Sequence, residues 1–284
     1  MKSLLKTQPE KSINLGDIFQ LGDHRLICGD ACDDVVVKKL IGEDRVRIVL
    51  TDPPYGVAYV ENKDWLGLRG QQSEHSSKFK KIENDHLQTD EEYVEFTKKW
   101  LEKIIPSLSD KNSLYIFNCD LMFCALRQAM KNAGVYYSQM VIWIKDHIVL
   151  GRKDYNPQHE LIAYGWFGRH KFERSKDRSV LVYPKPYKSK LHPTMKPVGL
   201  LRKLILNSTR INDYVYDPFG GSGSTLIACE QVKRKCLMIE LDPDYCGVII
   251  NRWERLTSFK AVKIEKESDK SDTIKKEPYA EDKE

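Results

Sequence analysis

The chain has 284 residues, 41% of them hydrophobic, which is enough for one large α/β domain or two small ones around a real core. Its net charge of +5, from 46 basic against 41 acidic residues, excludes a globally basic nucleic-acid binder and leaves room only for a local basic surface. No run reaches the ~18 apolar residues of a membrane span, the start MKSLLKTQPEKS lacks an apolar export core, and seven cysteines without C-x-x-C or finger spacing read as reduced thiols of a cytosolic protein.

In chain order, a strand is predicted at 24–29, then a helix at 34–41 and a strand at 47–50. A long polar stretch without periodicity, 56–84, reads as a functional loop. A helix at 90–108 follows, with Asp90 as its cap and Tyr93, Phe96, Trp100, Leu101 and Ile104 at core spacing. Next come a strand at 113–118, a helix at 120–132 capped by Asp120 and stopped by Gly134, and strands at 139–145 and 159–166. A helix at 197–208, a strand at 213–216, a helix at 224–232, a strand at 235–241 and a helix at 243–256 complete the order. Strands alternating with helices predict a mostly parallel sheet covered on both faces, with ligands at the carboxyl ends of its strands.

The stretch YVYDPFGGSGSTLIACE, from Tyr214 to Glu230, is a strand, a glycine-rich turn and a helix. Gly220, Gly221 and Gly223 permit positive φ and close backbone approach, and the helix behind them opens at Ser224 and Thr225. No lysine follows Gly223, so this is not a P-loop, and it does not match G-x-G-x-x-G. The next strand ends in Glu240 and Asp242, 17 and 19 residues beyond Gly223, where a ribose diol would be gripped. Asp217, just before the turn, could attract a cationic group. Together these point to a nucleoside-containing ligand, and the absence of a dinucleotide fingerprint leaves room for one without a pyrophosphate.

TDPPYGVAY, residues 51–59, follows the apolar run ending at Leu50. Pro53 and Pro54 stop a strand, because neither donates an N–H. They hold the Asp52 carboxylate and the Pro53 carbonyl in a stiff arc. Two such acceptors suit an –NH₂ group, and Tyr55 offers a flat face to an aromatic ring.

These residues resemble the amino-group DNA methyltransferases that use S-adenosylmethionine. Asp52-Pro53-Pro54-Tyr55 matches their catalytic motif, and Asp217-Pro218-Phe219-Gly220-Gly221-Ser222-Gly223 their cofactor motif. HPTMKP, from His192 to Pro197, and LICGD, from Leu26 to Asp30, resemble two more motifs, in the β-type order with the catalytic motif first. The resemblance implies a Rossmann-like, seven-stranded, mostly parallel sheet with helices on both faces and a short target-recognition insertion at 164–191. It implies a methyltransferase domain at 16–260 after an N-terminal tail at 1–15; the last 24 residues, with six Lys, eight Asp or Glu and almost nothing apolar after Ile264, read as a disordered charged tail at 261–284.

It also implies roles. Asp52 and the Pro53 carbonyl would accept from the target amine, with Tyr55 stacked on the target base. Phe219, Gly221, Gly223, Ser224 and Thr225 would line the cofactor, and Glu240 would hold its ribose. Asp30 would accept from its adenine N6. Thr194 and Lys196 would approach its methionine carboxylate, and Asp217 its charged methionine portion. The reaction would be in-line methyl transfer to a flipped base in double-stranded DNA. Asp52 favours adenine N6, with cytosine N4 as the alternative and an RNA or protein amide as a remoter one. A homodimer and a cognate restriction endonuclease are further partners the resemblance suggests, in the cytoplasm beside the nucleoid.

Between residues 164 and 196 nine Lys or Arg face two acids. Arg169, Lys171, Arg174, Lys176, Arg178, Lys185, Lys188 and Lys190 are expected to bind DNA, with interleaved aromatic residues Tyr164, Trp166, Phe167, Phe172, Tyr183 and Tyr187 available to stack or wedge. His159 and Glu160 either line the target pocket or cap a strand. The best competitor outside the family is a nicotinamide oxidoreductase.

Overall fold

The computed structural model describes residues 12–57, 86–148, 154–174, 176–185 and 195–264. The loop expected over 56–84 therefore lies outside the described residues beyond Val57, as do Thr194, Tyr187, Lys188, Lys190 and the tail beyond Ile264. The strands are β1 (Ile18–Leu21), β2 (His24–Cys28), β3 (Val46–Thr51), β4 (Leu108–Asn118), β5 (Tyr136–Ile144), β6 (His159–Trp166), β7 (Val180–Val182), β8 (Tyr214–Asp217), β9 (Lys235–Glu240) and β10 (Val262–Ile264). The helices are α1 (Asp34–Ile41), α2 (Asp90–Ile104), α3 (Phe123–Asn132), α4 (Val198–Ser208), α5 (Ser224–Val232) and α6 (Pro243–Thr257).

All strands join one sheet in the order β10-β1-β2-β9-β8-β3-β4-β6-β5-β7. The seven strands expected from the sequence form its continuous middle, from β2 to β5. Parallel pairing runs from β2 to β4, and β6 is antiparallel to both its neighbours. Three short strands extend the edges. β1 and β10 are antiparallel additions, and β7 pairs parallel to β5. They bring the described sheet to ten strands rather than seven. β10 lies inside the segment expected to be disordered. Its pairing with β1 and the 2.7 Å ion pair of Lys263 with Asp17 hold the chain in the sheet as far as Ile264.

Side chains alternate across the pleat, so each strand feeds two cores. On one face Ile48, Leu50, Val215 and Met238 pack under Leu200 of α4, Leu226 of α5 and Ile249 of α6. On the other, Val49, Tyr216 and Ile239 pack under Leu40 of α1, Trp100 of α2 and Leu126 of α3. Helix starts follow local chemistry more than the nearest acid. Thr89, not Asp90, caps α2, through a reciprocal capping box with Glu92. α3 begins at Phe123, behind Met122, with no side-chain cap, so Asp120 lies outside it.

The layering positions a crevice. β3 leads toward α2 on one face, whereas β8 leads into α5 on the other. Adjacent parallel strands followed by helices on opposite faces make a switch point, and a ligand crevice is expected at their carboxyl ends.

Candidate active site

β3 ends at Thr51, because Pro53 and Pro54 cannot continue the ladder. Asp52 thus emerges at the cleft. Its Oδ1 accepts the Tyr55 hydroxyl at 2.6 Å, and its Oδ2 is ion-paired with the Lys196 ammonium. Burial pushes the Asp52 carboxyl up, and Lys196 opposes the rise. Burial and the neighbouring Asp52 push the Tyr55 phenol well above its usual value, so it stays a hydrogen-bond donor.

The neighbouring strand supplies the second wall. Thr51 Oγ1 donates to Asp217 Oδ1 at 2.8 Å, which ties the last residue of β3 to the last residue of β8. The Phe219 N–H donates to the same oxygen at 3.2 Å. Burial pushes Asp217 up to about 7, against the hydrogen bonds from Thr225, Thr51 and Phe219. The glycine turn follows. Gly221 has φ +52° and Gly223 φ +78°, values that favour glycine. A Cβ on Gly223 would stand 3.0 Å from Ile249 Cγ1, so the turn must also be narrow.

Glu240 closes the far side. Its Oε2 accepts the Gly221 N–H at 2.6 Å and its Oε1 the Asp242 N–H at 2.9 Å. Burial nevertheless raises it to about 7. The Gly29 N–H donates to the Glu240 carbonyl at 2.9 Å, which brings exposed Asp30 to the same rim. Phe219 lies 5.9 Å from the Phe96 ring and 5.7 Å from Trp100, so its ring shares the α2 side of the cleft. Ser224 and Thr225 are buried at the start of α5. Arg252 of α6 donates to the Ser222 carbonyl at 2.9 Å and to Ser224 Oγ at 3.1 Å, pinning the turn from behind.

Lys196, expected near the methionine carboxylate, lies at the same site. Its ammonium sits on Asp52 and, at 3.1 Å, on Glu160 Oε2, because a buried cation seeks carboxylates. Glu160 is also 2.9 Å from Lys145. Burial alone would raise Glu160, but Lys196 and Lys145 hold it below its usual value. Of the pair His159 and Glu160, Glu160 joins the site and His159 is exposed. Thr51, Lys145 and Arg252 carried no signal in the sequence. Thr51 and Asp217 are 166 residues apart, and nothing local marks that meeting.

The basic segment divides. β6 runs antiparallel, so the chain leaves it at the amino ends of the sheet, opposite Asp52. Arg169 pairs there with Asp110 at 2.6 Å, and Lys171 with Glu173 at 3.6 Å. Arg174, Lys176 and Arg178 are exposed on the way back to β7. Lys185, past β7, is at the carboxyl-end side, its N–H donated to Asp146 Oδ1 at 2.8 Å. The aromatic residues mostly pack rather than stand free. Tyr164 is buried, Trp166 stacks on His170 at 3.6 Å, Phe172 packs on Tyr164, and the Tyr183 carbonyl accepts from Trp143.

Asp52, Asp217 and Glu240 stand at the carboxyl ends of β3, β8 and β9, with Asp30 beside Glu240, and Lys196 is the cation at Asp52 among the described residues. Such a set repels a pyrophosphate and fits a nucleoside that carries a positive charge. The narrow glycine turn fits close approach of that ligand's backbone-facing side. A sulfonium nucleoside meets the charge condition.

The sequence model of a family described as DNA methylase matches residues 46–251. The Type II methyltransferase M.HpaI of Haemophilus parainfluenzae is 26% identical over 251 residues, covering 78% of this chain and 72% of that protein. The crystal structure of an M1.HpyAVI–SAM complex aligns with a TM-score of 0.57 at 21% identity, over 80% of this chain and 98% of that one. The structure of PvuII DNA methyltransferase, described as cytosine-N4-specific, aligns with a TM-score of 0.62 at 16% identity, over 86% and 94%. At these identities the two solved structures establish the fold.

Proposed function

The chain belongs to the DNA methylase family whose members modify exocyclic N6 or N4 amines, and from that premise we propose that it methylates adenine N6 in a specific duplex sequence. S-adenosylmethionine is the methyl donor, and it supplies an activated methyl group on a sulfonium with a neutral leaving group. The chain's own residues orient and desolvate. Asp52 and the Pro53 carbonyl accept the two N–H bonds of the target amine, which turns its lone pair out of ring conjugation. Tyr55 stacks on the flipped base. The nitrogen lone pair forms the new N–C bond as the C–S pair returns to sulfur, and the surplus proton leaves the amine toward Asp52 or solvent. Glu240 holds the ribose hydroxyls, and Asp30 the adenine N6 of the donor. Phe219, Gly221, Gly223, Ser224 and Thr225 shape its seat, and Asp217 faces its positive charge.

The observation that carries this reading is the Thr51–Asp217 hydrogen bond, which seats the catalytic and cofactor motifs on adjacent strands. Asp at the first position of the tetrapeptide favours adenine, and N4-cytosine is the alternative. Lys185 would meet DNA phosphates on the Asp52 side, and Lys188 and Lys190, outside the described residues, keep their expected DNA-binding role. Arg174, Lys176 and Arg178 would meet a duplex only if it wraps past β7, and Arg169 and Lys171 only at the far end of the sheet. The protein would work in the cytoplasm, as a homodimer or beside a cognate endonuclease. Unmodified DNA incubated with methyl-labelled S-adenosylmethionine and digested to nucleosides should carry the label in N6-methyladenine. Label in N4-methylcytosine would replace adenine by cytosine, and no label in any nucleoside would remove the reading.

A further inference from the structure

A target amine needs acceptors, and each oxygen of Asp52 already carries one donor, so the amine must share or displace them. Oδ1 holds the Tyr55 hydroxyl at 2.6 Å, and Oδ2 holds Lys196. The Lys196 side chain is only 6% exposed, its ammonium 5.7 Å from the Tyr55 ring and 5.2 Å from the Phe117 ring. The same ammonium lies 3.1 Å from Glu160 Oε2, and Glu160 Oε1 lies 2.9 Å from Lys145, also 6% exposed. Asp52, Lys196, Glu160 and Lys145 thus form a row of alternating charge drawn from four parts of the fold. Such rows are a poor way to gain stability, since well-packed apolar groups do as well or better. A row that begins on the catalytic carboxylate calls for another reason.

We propose that Lys196 is a displaceable occupant of the target amine's seat on Asp52, and that Glu160 is the positioning residue that takes up its ammonium when the target amine arrives. The inference rests on reading Asp52 as the amine acceptor. A neutral amine does not displace an ammonium from a desolvated carboxylate when the ammonium has nowhere to go, because stranding a buried charge costs several kcal/mol. Glu160 already touches Lys196, so the hand-over needs a side-chain shift and no opening of the fold. Lys145 keeps Glu160 ionised and aimed. The device also selects. A base with an exocyclic amine repays Asp52 for the donor it loses, whereas thymine brings no such group and leaves Lys196 in place.

The test compares single-turnover methyl transfer and S-adenosylmethionine affinity for the parent, Glu160→Gln, Lys196→Gln and the double variant. Glu160→Gln should slow transfer about tenfold or more, with cofactor affinity kept, because Lys196 then holds only Asp52. The double variant should be no slower than the slower single variant. Glu160→Gln within twofold of the parent would overturn the proposal, and so would losses that multiply in the double variant. Cofactor affinity also reports folding. Should Glu160→Gln fail to bind S-adenosylmethionine, Lys145→Gln replaces it in the same cycle with Lys196→Gln under the same criteria. Asp52→Asn separates the two readings. If it transfers at the parent rate, the role of Asp52 falls; if it is inactive while Glu160→Gln is silent, only the hand-over falls.

Discussion

Tyr55 touches the site in two ways, and they can be pulled apart. Its ring is offered to the target base, and its hydroxyl donates to Asp52 at 2.6 Å. Tyr55→Ala should weaken productive DNA binding by about 1–3 kcal/mol, the usual value of base–aromatic stacking. Tyr55→Phe keeps the ring and should lose only about 1 kcal/mol, the net worth of one hydrogen bond. Steady-state KM for a cognate duplex checks the order; a Phe variant as weak as the Ala variant would place the role in the hydroxyl. At this scale the sequence was legible where residues cluster in the chain. Asp52, Tyr55 and the glycines stand in short motifs whose chemistry can be read directly. Lys196 stands in one too, but its partner Asp52 lies 144 residues away, and the choice between two carboxylates and a ligand is made by burial. Glu160 was visible as a candidate, yet only the antiparallel pairing of β5 with β6 sets it beside Lys145.

Helix and strand positions were legible because period and punctuation agree with the fold. The seven central strands and all six described α-helices fall on segments read from the sequence, although the helix expected over 90–108 ends at Ile104 and gives way to a 3-10 turn at Ile105–Ser107 and then β4. The direction of β6 was not, since an alternating pattern is the same read either way, and that direction sends Arg169 and Lys171 to the far end of the sheet. The edge strands β1, β7 and β10 have at most four residues each, too few to show a period. The element-scale predictions follow from caps and turns. Thr89→Ala removes the capping box of α2 and should cost about 1 kcal/mol in thermal or denaturant unfolding. Gly223→Ala puts a side chain at φ +78° and 3.0 Å from Ile249. It should lower stability by about 1–3 kcal/mol and weaken S-adenosylmethionine binding, as titration calorimetry would show. Unchanged affinity would mean that the turn does not shape the cofactor seat.

Across the whole molecule, buried carboxylates gather at the carboxyl ends of the central strands while the chain as a whole carries a net charge of +5. Asp217 and Glu240 rise to about 7 from ordinary values of 3.8 and 4.5. Over that interval the folded protein holds protons that the unfolded chain has released. Their contribution to stability therefore falls as pH rises from about 4.5 to about 7, and levels off above. A cationic ligand prefers both groups ionised. Affinity for S-adenosylmethionine should accordingly tighten between about pH 6 and pH 8, with proton release on binding; affinity that weakens over this range would contradict the assignment of these acids to the cofactor.

Methyl transfer to unmodified DNA by Asp52→Ala, with S-adenosylmethionine affinity measured on the same sample, tests the central claim most directly. Transfer should fall by about 100-fold to 1000-fold or more while cofactor affinity stays within about threefold. Transfer at the parent rate by the cofactor-bound variant would contradict it.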